Sequence, residues 1–235
     1  MTNSFFTYRH TAERPFSPTM IELILKVLAA YLLGGLMGGD IMRLLLGGAD
    51  LRQSGSGNVG ATNALRTRGK GFALGVLLID IGKGVLAVLA IPAIHWPGTQ
   101  QALLPQQTVG FLCGVAVALG HCYPLFQKFR GGKGVATLAG VFGALIPAAL
   151  PWMLLVFVLA VILTGYVAIA SVGGAVAAFA YVAVFDGGVQ SAAGFFALAM
   201  LLLVSFKHRE NIVRLLKGDE HRFDKAMIVH KWLAR

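Results

Sequence analysis

Three stretches of this chain combine glycine, short hydrogen-bonding side chains and fixed positive charge. The first, GSGNVGATNALR, runs from Gly55 to Arg66. Gly55, Gly57 and Gly60 allow the backbone to approach a ligand closely. Ser56, Asn58, Thr62 and Asn63 add short polar groups, and Arg66 offers a forked donor suited to phosphate. The second, GHCYPLFQKFRGGKG, ends with Gly131, Gly132, Lys133 and Gly134 before an apolar run. Amides and an ammonium group beside a helix start suit an anion. The third, KHRENIVRLLKGDEHRF, runs from Lys207 to Phe223. His208 and Asn211 lie three apart and share a helical face, and Arg214 and Lys217 extend a cationic stripe. Together these parts predict a site that holds phosphate groups at a bilayer surface.

Taken singly, each block also fits a solvated loop or a topology signal. Other chemistries are excluded more sharply. GGKGVAT lacks the GxxxxGK[ST] spacing of a nucleotide hydrolase, since one residue separates Gly132 from Gly134. Gly55, Gly57 and Gly60 spell GxGxxG, yet a membrane helix precedes them where a dinucleotide fold needs a strand. No aspartate stands five residues after His95, His121, His208 or His221, so an HxxxxD acyltransferase motif is absent. GxSxG and HExxH are absent too. Cys113 and Cys122 lack metal-type spacing, and neither a metal nor a cofactor is expected.

The elements that must position these blocks are membrane helices. Of 235 residues, 57% are hydrophobic and only 13% charged, against about 25% charged in a soluble domain. Mean hydropathy is +0.74. A helix needs about 17 to 25 apolar residues to cross a bilayer. Spans are predicted over 20–46, 71–94 and 108–119. No ionised residue occurs between Gly134 and Phe185, a stretch that divides into three short spans at Pro147–Pro151 and Thr164–Gly165. A last span covers 190–206, making seven. Residues 1–19 read as a disordered or interfacial tail without a cleavable signal. Residues 20–223 read as the membrane domain, and 224–235 as a basic amphipathic tail. Asp80 and Lys83 are three apart within the second span and predict a structural ion pair. Ser171 either bonds back to its own helix or enters the site.

With seven spans, the loops after spans one, three and five share a side with the C-terminus. Those segments hold Arg43, Arg52, Arg66, Arg68, Lys70, Lys128, Arg130, Lys133 and the eight cations from Lys207 onward. The opposite loops hold none, and only Arg9 and Arg14 lie in the N-terminal tail. The positive-inside rule therefore places the N-terminus in the periplasm, and the three blocks and the C-terminus in the cytoplasm. This bias also accounts for the net charge of +10 without invoking nucleic acid.

In this arrangement the chain resembles the bacterial acyl-phosphate:glycerol-3-phosphate acyltransferases, the PlsY family. The motifs SGNxGATNxxR, GHxxPxFxxFxGGKGVAT and KHRxNIxRLxxGxE occur in order, with DxxKG at Asp80–Gly84. The resemblance implies a seven-helix enzyme of the bacterial inner membrane. It would transfer a fatty acyl group from acyl phosphate to the sn-1 hydroxyl of glycerol 3-phosphate, releasing lysophosphatidic acid and inorganic phosphate. It also implies a functional link to an enzyme that makes acyl phosphate. Family positions fall on Ser56, Thr62, Asn63, Arg66, Lys133 with its flanking glycines, His208 and Asn211. Glu220 matches a structural glutamate, and Ser171 matches the later serine of a YVSLAS stretch in which Ala168 replaces the earlier one.

Both substrates carry phosphate, so Arg66 and Lys133, with loop amides, are the expected neutralising groups. Acyl phosphate is already activated, and direct attack by the glycerol 3-phosphate hydroxyl needs no covalent intermediate. The base is either His208 or, as favoured here, a phosphate oxygen of the donor, with His208 and Asn211 orienting a substrate. The alternative class is an organic-phosphate membrane transporter, for which cationic loops and seven spans would also serve.

Overall fold

The computed structural model describes residues 17–95 and 103–223. The predicted tail over 1–19 lies outside these residues except for its last three, and the basic tail over 224–235 lies wholly outside them. All regular structure among the described residues is helical. That follows from apolar runs whose backbone groups have no water to bond and must pair within their own segment.

The first predicted span is two helices, α1 (Pro18–Gly34) and α2 (Gly38–Leu46), bent by 51°. Gly34, Gly35, Gly38 and Gly39 crowd this break, where α2 turns away from the axis of α1. The bend frees carbonyls at the end of α1 and amides at the start of α2. The Asp80–Lys83 pair supplies both partners. Lys83 Nζ donates to Gly34 O at 2.8 Å and to Leu36 O at 2.9 Å, while Asp80 Oδ1 accepts from Gly38 N at 3.2 Å. A cation thus meets a helix C-terminus and a carboxylate meets an N-terminus, the stabilising sense of both dipoles. The two side chains also pair with each other at 2.9 Å. The predicted pair exists, and its role is to splint α1 to α2.

The chain continues through α3 (Ala61–Arg68), α4 (Lys70–Ala93), α5 (Gln106–Cys122) and α6 (Val135–Leu145). Then follow α7 (Leu150–Thr164), α8 (Val167–Phe185), α9 (Ala192–Lys207) and α10 (Arg209–Leu216). The breaks expected near Pro147–Pro151 and Thr164–Gly165 are present, the second made by Gly165 at φ 75°. Among the described residues, four helical segments are long and apolar enough to cross a membrane, and up to six if each bent pair counts as one span. The second bent pair is α9 with α10, at 50°. α6, with 11 residues, is apolar but shorter.

Small residues set the closest helix contacts, as is usual in lipid, where backbones must approach to gain packing. A Cβ at Gly120 of α5 would stand 1.9 Å from Tyr31 O of α1, and one at Gly140 of α6 would stand 2.2 Å from Ile81 O of α4. α7 and α8 form an antiparallel pair, with α9 against α8 and α5. α6 meets α7 mainly at the short 3-10 turn Pro147–Ala149 that joins them. The two helices therefore diverge from that turn, and a cleft opens between them.

Candidate active site

The cleft holds a cavity of about 420 Å³ with a polar end and an apolar length. Its polar end takes Ser56, Asn58, Thr62, Asn63 and Arg66 from the first block, and Lys133 and Gly134 from the second. His208, Asn211 and Glu220 come from the third. Blocks separated by more than fifty residues meet on one wall. Gly57, Gly131 and Gly132 are not among its lining residues, and Ser171 lines it from α8.

The first block is folded around one side chain. Asn63 is buried, and its Oδ1 accepts from Ser56 N at 2.9 Å. Its Nδ2 donates to Leu51 O, Ser54 O and Asn58 O at 2.8–3.0 Å. Gly55 sits against it at φ 56°, where a Cβ would fall 2.3 Å from Asn63 Oδ1, so both the dihedral and the space require glycine. Asn63 thus shapes the loop that presents Ser56 and Asn58. Asn58 Oδ1 is buried in the wall without a hydrogen-bond partner among the described residues, an acceptor facing a ligand-sized space.

The second block rests on α5. Gly132 N donates to His121 O at 3.0 Å, and a Cβ at Gly132 would meet His121 Nε2 at 2.2 Å. His121 is buried, with Nδ1 3.2 Å from Thr137 Oγ1 and 3.5 Å from Asp80 Oδ1. This imidazole supports the lysine loop from beneath. It also ties that loop to the α1–α2 splint. Gly134 caps α6, so the first residues of both α3 and α6 line the polar end. Their unpaired first-turn amides and positive dipole ends favour an anion there.

Lys133 Nζ donates to Asn211 Oδ1. Asn211 Nδ2 donates to Glu220 Oε1 at 2.7 Å, and Arg214 Nε donates to Glu220 Oε2 at 2.9 Å. One carboxylate therefore orients the amide that orients the ammonium. Burial pushes the Lys133 amine down to about 8, a fall that the charge of Glu220 opposes. Burial likewise lowers the Arg66 guanidinium, and Glu220 again opposes the shift. Both cations have lost water and not fully replaced it, which readies them for phosphate. His208 is buried at the bend between α9 and α10. Its Nδ1–H donates to Val204 O at 2.8 Å, which leaves Nε2 as the acceptor nitrogen. Ser171 Oγ donates to Val167 O at 2.8 Å, the back-bonded alternative.

Several partners were not visible in the sequence. Arg52 holds Asp40 through two bonds of 2.7 and 3.0 Å, fastening the loop to α2. The segment after α10 returns over the site. Arg66 Nη2 donates to His221 O at 3.4 Å, and Phe223 N donates to Gly165 O at 2.8 Å. The DEHR run carries charge but no periodicity, so nothing local signals that return. Among the described residues no three metal-type side chains cluster.

The chain matches the family described as glycerol-3-phosphate acyltransferase over residues 24–218. It is 38% identical over 203 residues to the glycerol-3-phosphate acyltransferase of Aquifex aeolicus, covering 86% of this chain and all of that one. It is 41% identical over 195 residues to that of Zymomonas mobilis, covering 82% and 91%. It also superposes on the crystal structure of PlsY (YgiH), an integral membrane glycerol 3-phosphate acyltransferase, in its glycerol 3-phosphate form. The TM-score is 0.74 at 38% identity, with 86% of this chain and 95% of that one covered. The lysophosphatidic acid form gives 0.72 at 37%, covering 85% and 94%. Three motif blocks assembled on one cavity, in an all-helical integral membrane protein of this likeness, place the chain in the glycerol-3-phosphate acyltransferase family.

Proposed function

We propose that the cavity joins a fatty acyl group, supplied as acyl phosphate, to the sn-1 hydroxyl of glycerol 3-phosphate. As a member of its family the chain is an acyltransferase that forms lysophosphatidic acid. The donor and the residue roles are the further reading. The carrying observation is the single cavity with cations and helix N-termini at one end and an apolar length at the other. Such a shape suits a phosphate monoester and a phosphorylated acyl chain side by side.

In this reading Arg66 and Lys133 neutralise the two phosphates, assisted by the first-turn amides of α3 and α6. Asn58 Oδ1 accepts from a glycerol hydroxyl, and Ser56 and Thr62 add hydroxyl contacts. The acceptor oxygen attacks the acyl carbonyl carbon, and the bond between that carbon and the phosphate oxygen breaks. Inorganic phosphate leaves with the bonding pair and takes the hydroxyl proton on one of its oxygens. Asn211 positions Lys133, and His208 Nε2 orients the acceptor. His208→Gln that abolished turnover while both substrates still bound would make His208 the base instead.

We place the polar end at the cytoplasmic face of the bacterial inner membrane. The cation-rich segments gather there, and α6 counted as a crossing brings the total to seven, with the N-terminus periplasmic. A cysteine introduced at Asp186, at the opposite end of α8, is then labelled by an impermeant thiol reagent from the periplasm. Labelling only from the cytoplasm would reverse the topology. The donor is tested with purified protein, radiolabelled glycerol 3-phosphate and acyl phosphate, acyl-CoA or acyl carrier protein. Product with acyl phosphate alone is expected, and its absence would end the donor reading.

A further inference from the structure

The cavity has a definite far end. One stripe of α9 lines it from His208 through Val204, Met200 and Ala197. At about 1.5 Å per residue, the eleven residues between His208 and Ala197 span roughly 16 Å. α7 runs in the same direction and reaches the same depth at Met153, eleven residues before its end at Thr164. α6 brings Phe142 to that level. Phe142, Met153 and Ala197 are 3%, 7% and 1% exposed, so the wall closes there. It is also stiff. The Phe142 ring packs on Phe196 at 5.2 Å between centroids, and Phe196 stacks on Phe111 at the same distance.

The geometry points to Phe142, Met153 and Ala197 as the stop that sets which acyl chain lengths this enzyme prefers. The inference rests on the acyl-donor reading above. With C–C bonds of about 1.5 Å, an extended chain advances roughly 1.25 Å per carbon, so about thirteen carbons fit between the level of His208 and the stop. Longer chains must bend there and continue along the open side of the cleft, past Leu154 and Val158 of α7, each nearly half exposed. Bending removes methylenes from contact with the wall. Each methylene left unburied weakens binding about fourfold. The stop therefore discriminates by length.

The test is the ratio of kcat/KM for eighteen-carbon over twelve-carbon acyl phosphate. Both values come from one preparation in detergent, so the fraction of folded protein cancels. Phe142→Ala removes a ring about four carbons deep, and the ratio is expected to rise at least tenfold. Ala197→Leu fills the end, and the ratio is expected to fall at least tenfold. Because the two variants act in opposite directions, a loss of folding in one leaves the other decisive. Ratios within twofold of wild type in every active variant would overturn the stop and leave the donor reading intact. No turnover of any acyl phosphate by wild type would overturn both.

Discussion

Lys133 offers the most exposed prediction, because its environment sets a pH at which its charge disappears. Burial lowers the amine to about 8, so at pH 7 about nine-tenths of the free enzyme carries the charge, and at pH 9 only about one-tenth. If only the charged form binds the phosphate of glycerol 3-phosphate, kcat/KM falls about tenfold between those values. Above pH 8 it approaches a slope of one log unit per pH unit, since kcat/KM reports the free enzyme. Unfolding through this group does not produce such a fall. Its folded value lies below the unfolded 10.5, so the unfolded chain binds more protons between about 8 and 10.5. This group therefore makes stability rise with pH across that window. The assay is acylation of radiolabelled glycerol 3-phosphate from pH 6.5 to 9.5, corrected for spontaneous donor hydrolysis. Lys133→Arg keeps its charge over the whole range, and its profile should lack the alkaline limb even if the rate is lower. The rate of Lys133 acetylation, read by mass spectrometry, should reach its half-point near 8 and shift upward with saturating glycerol 3-phosphate. A flat wild-type profile, or the same limb in Lys133→Arg, would refute the assignment.

Three further outcomes follow from named contacts. Glu220→Gln sets an amide against Arg214 Nε and removes a charge that favours protonated Lys133; KM for glycerol 3-phosphate should rise about tenfold, and the alkaline limb should move to lower pH. An unshifted limb would separate Glu220 from Lys133. Gly132→Ala drives a Cβ to 2.2 Å from the buried imidazole of His121; activity should fall at least tenfold with about 1–3 kcal/mol of lost stability, read by thermal unfolding and turnover together. Asp80→Ala leaves Lys83 buried without its carboxylate and should cost about 3–5 kcal/mol. An unchanged melting temperature in detergent would show that the α1–α2 break does not depend on the splint.

The helices were legible because membrane burial leaves a chain few choices. A run without ionised residues from Gly134 to Phe185 must fold as helices, and its breaks fall where proline and glycine stand. The Asp80–Lys83 pair was legible from its spacing of three along one helix. The bend at Gly35–Met37 was hidden, because the apolar pattern runs through it and the groups that stabilise it come from α4.

Residue types and order by themselves determined that this is a membrane protein with three glycine- and cation-rich blocks, since glycine, Arg66 and Lys133 bring backbone freedom and positive charge wherever they are placed. Only the tertiary structure decided how the labour is divided. Asn63, read as a ligand group, turns inward to build the loop. Glu220 reaches across nine residues to Asn211 and through it to Lys133, and His121 props the lysine loop from another helix. Such roles depend on contacts between distant segments. Local periodicity records which face of a helix is buried, but not which partner arrives there.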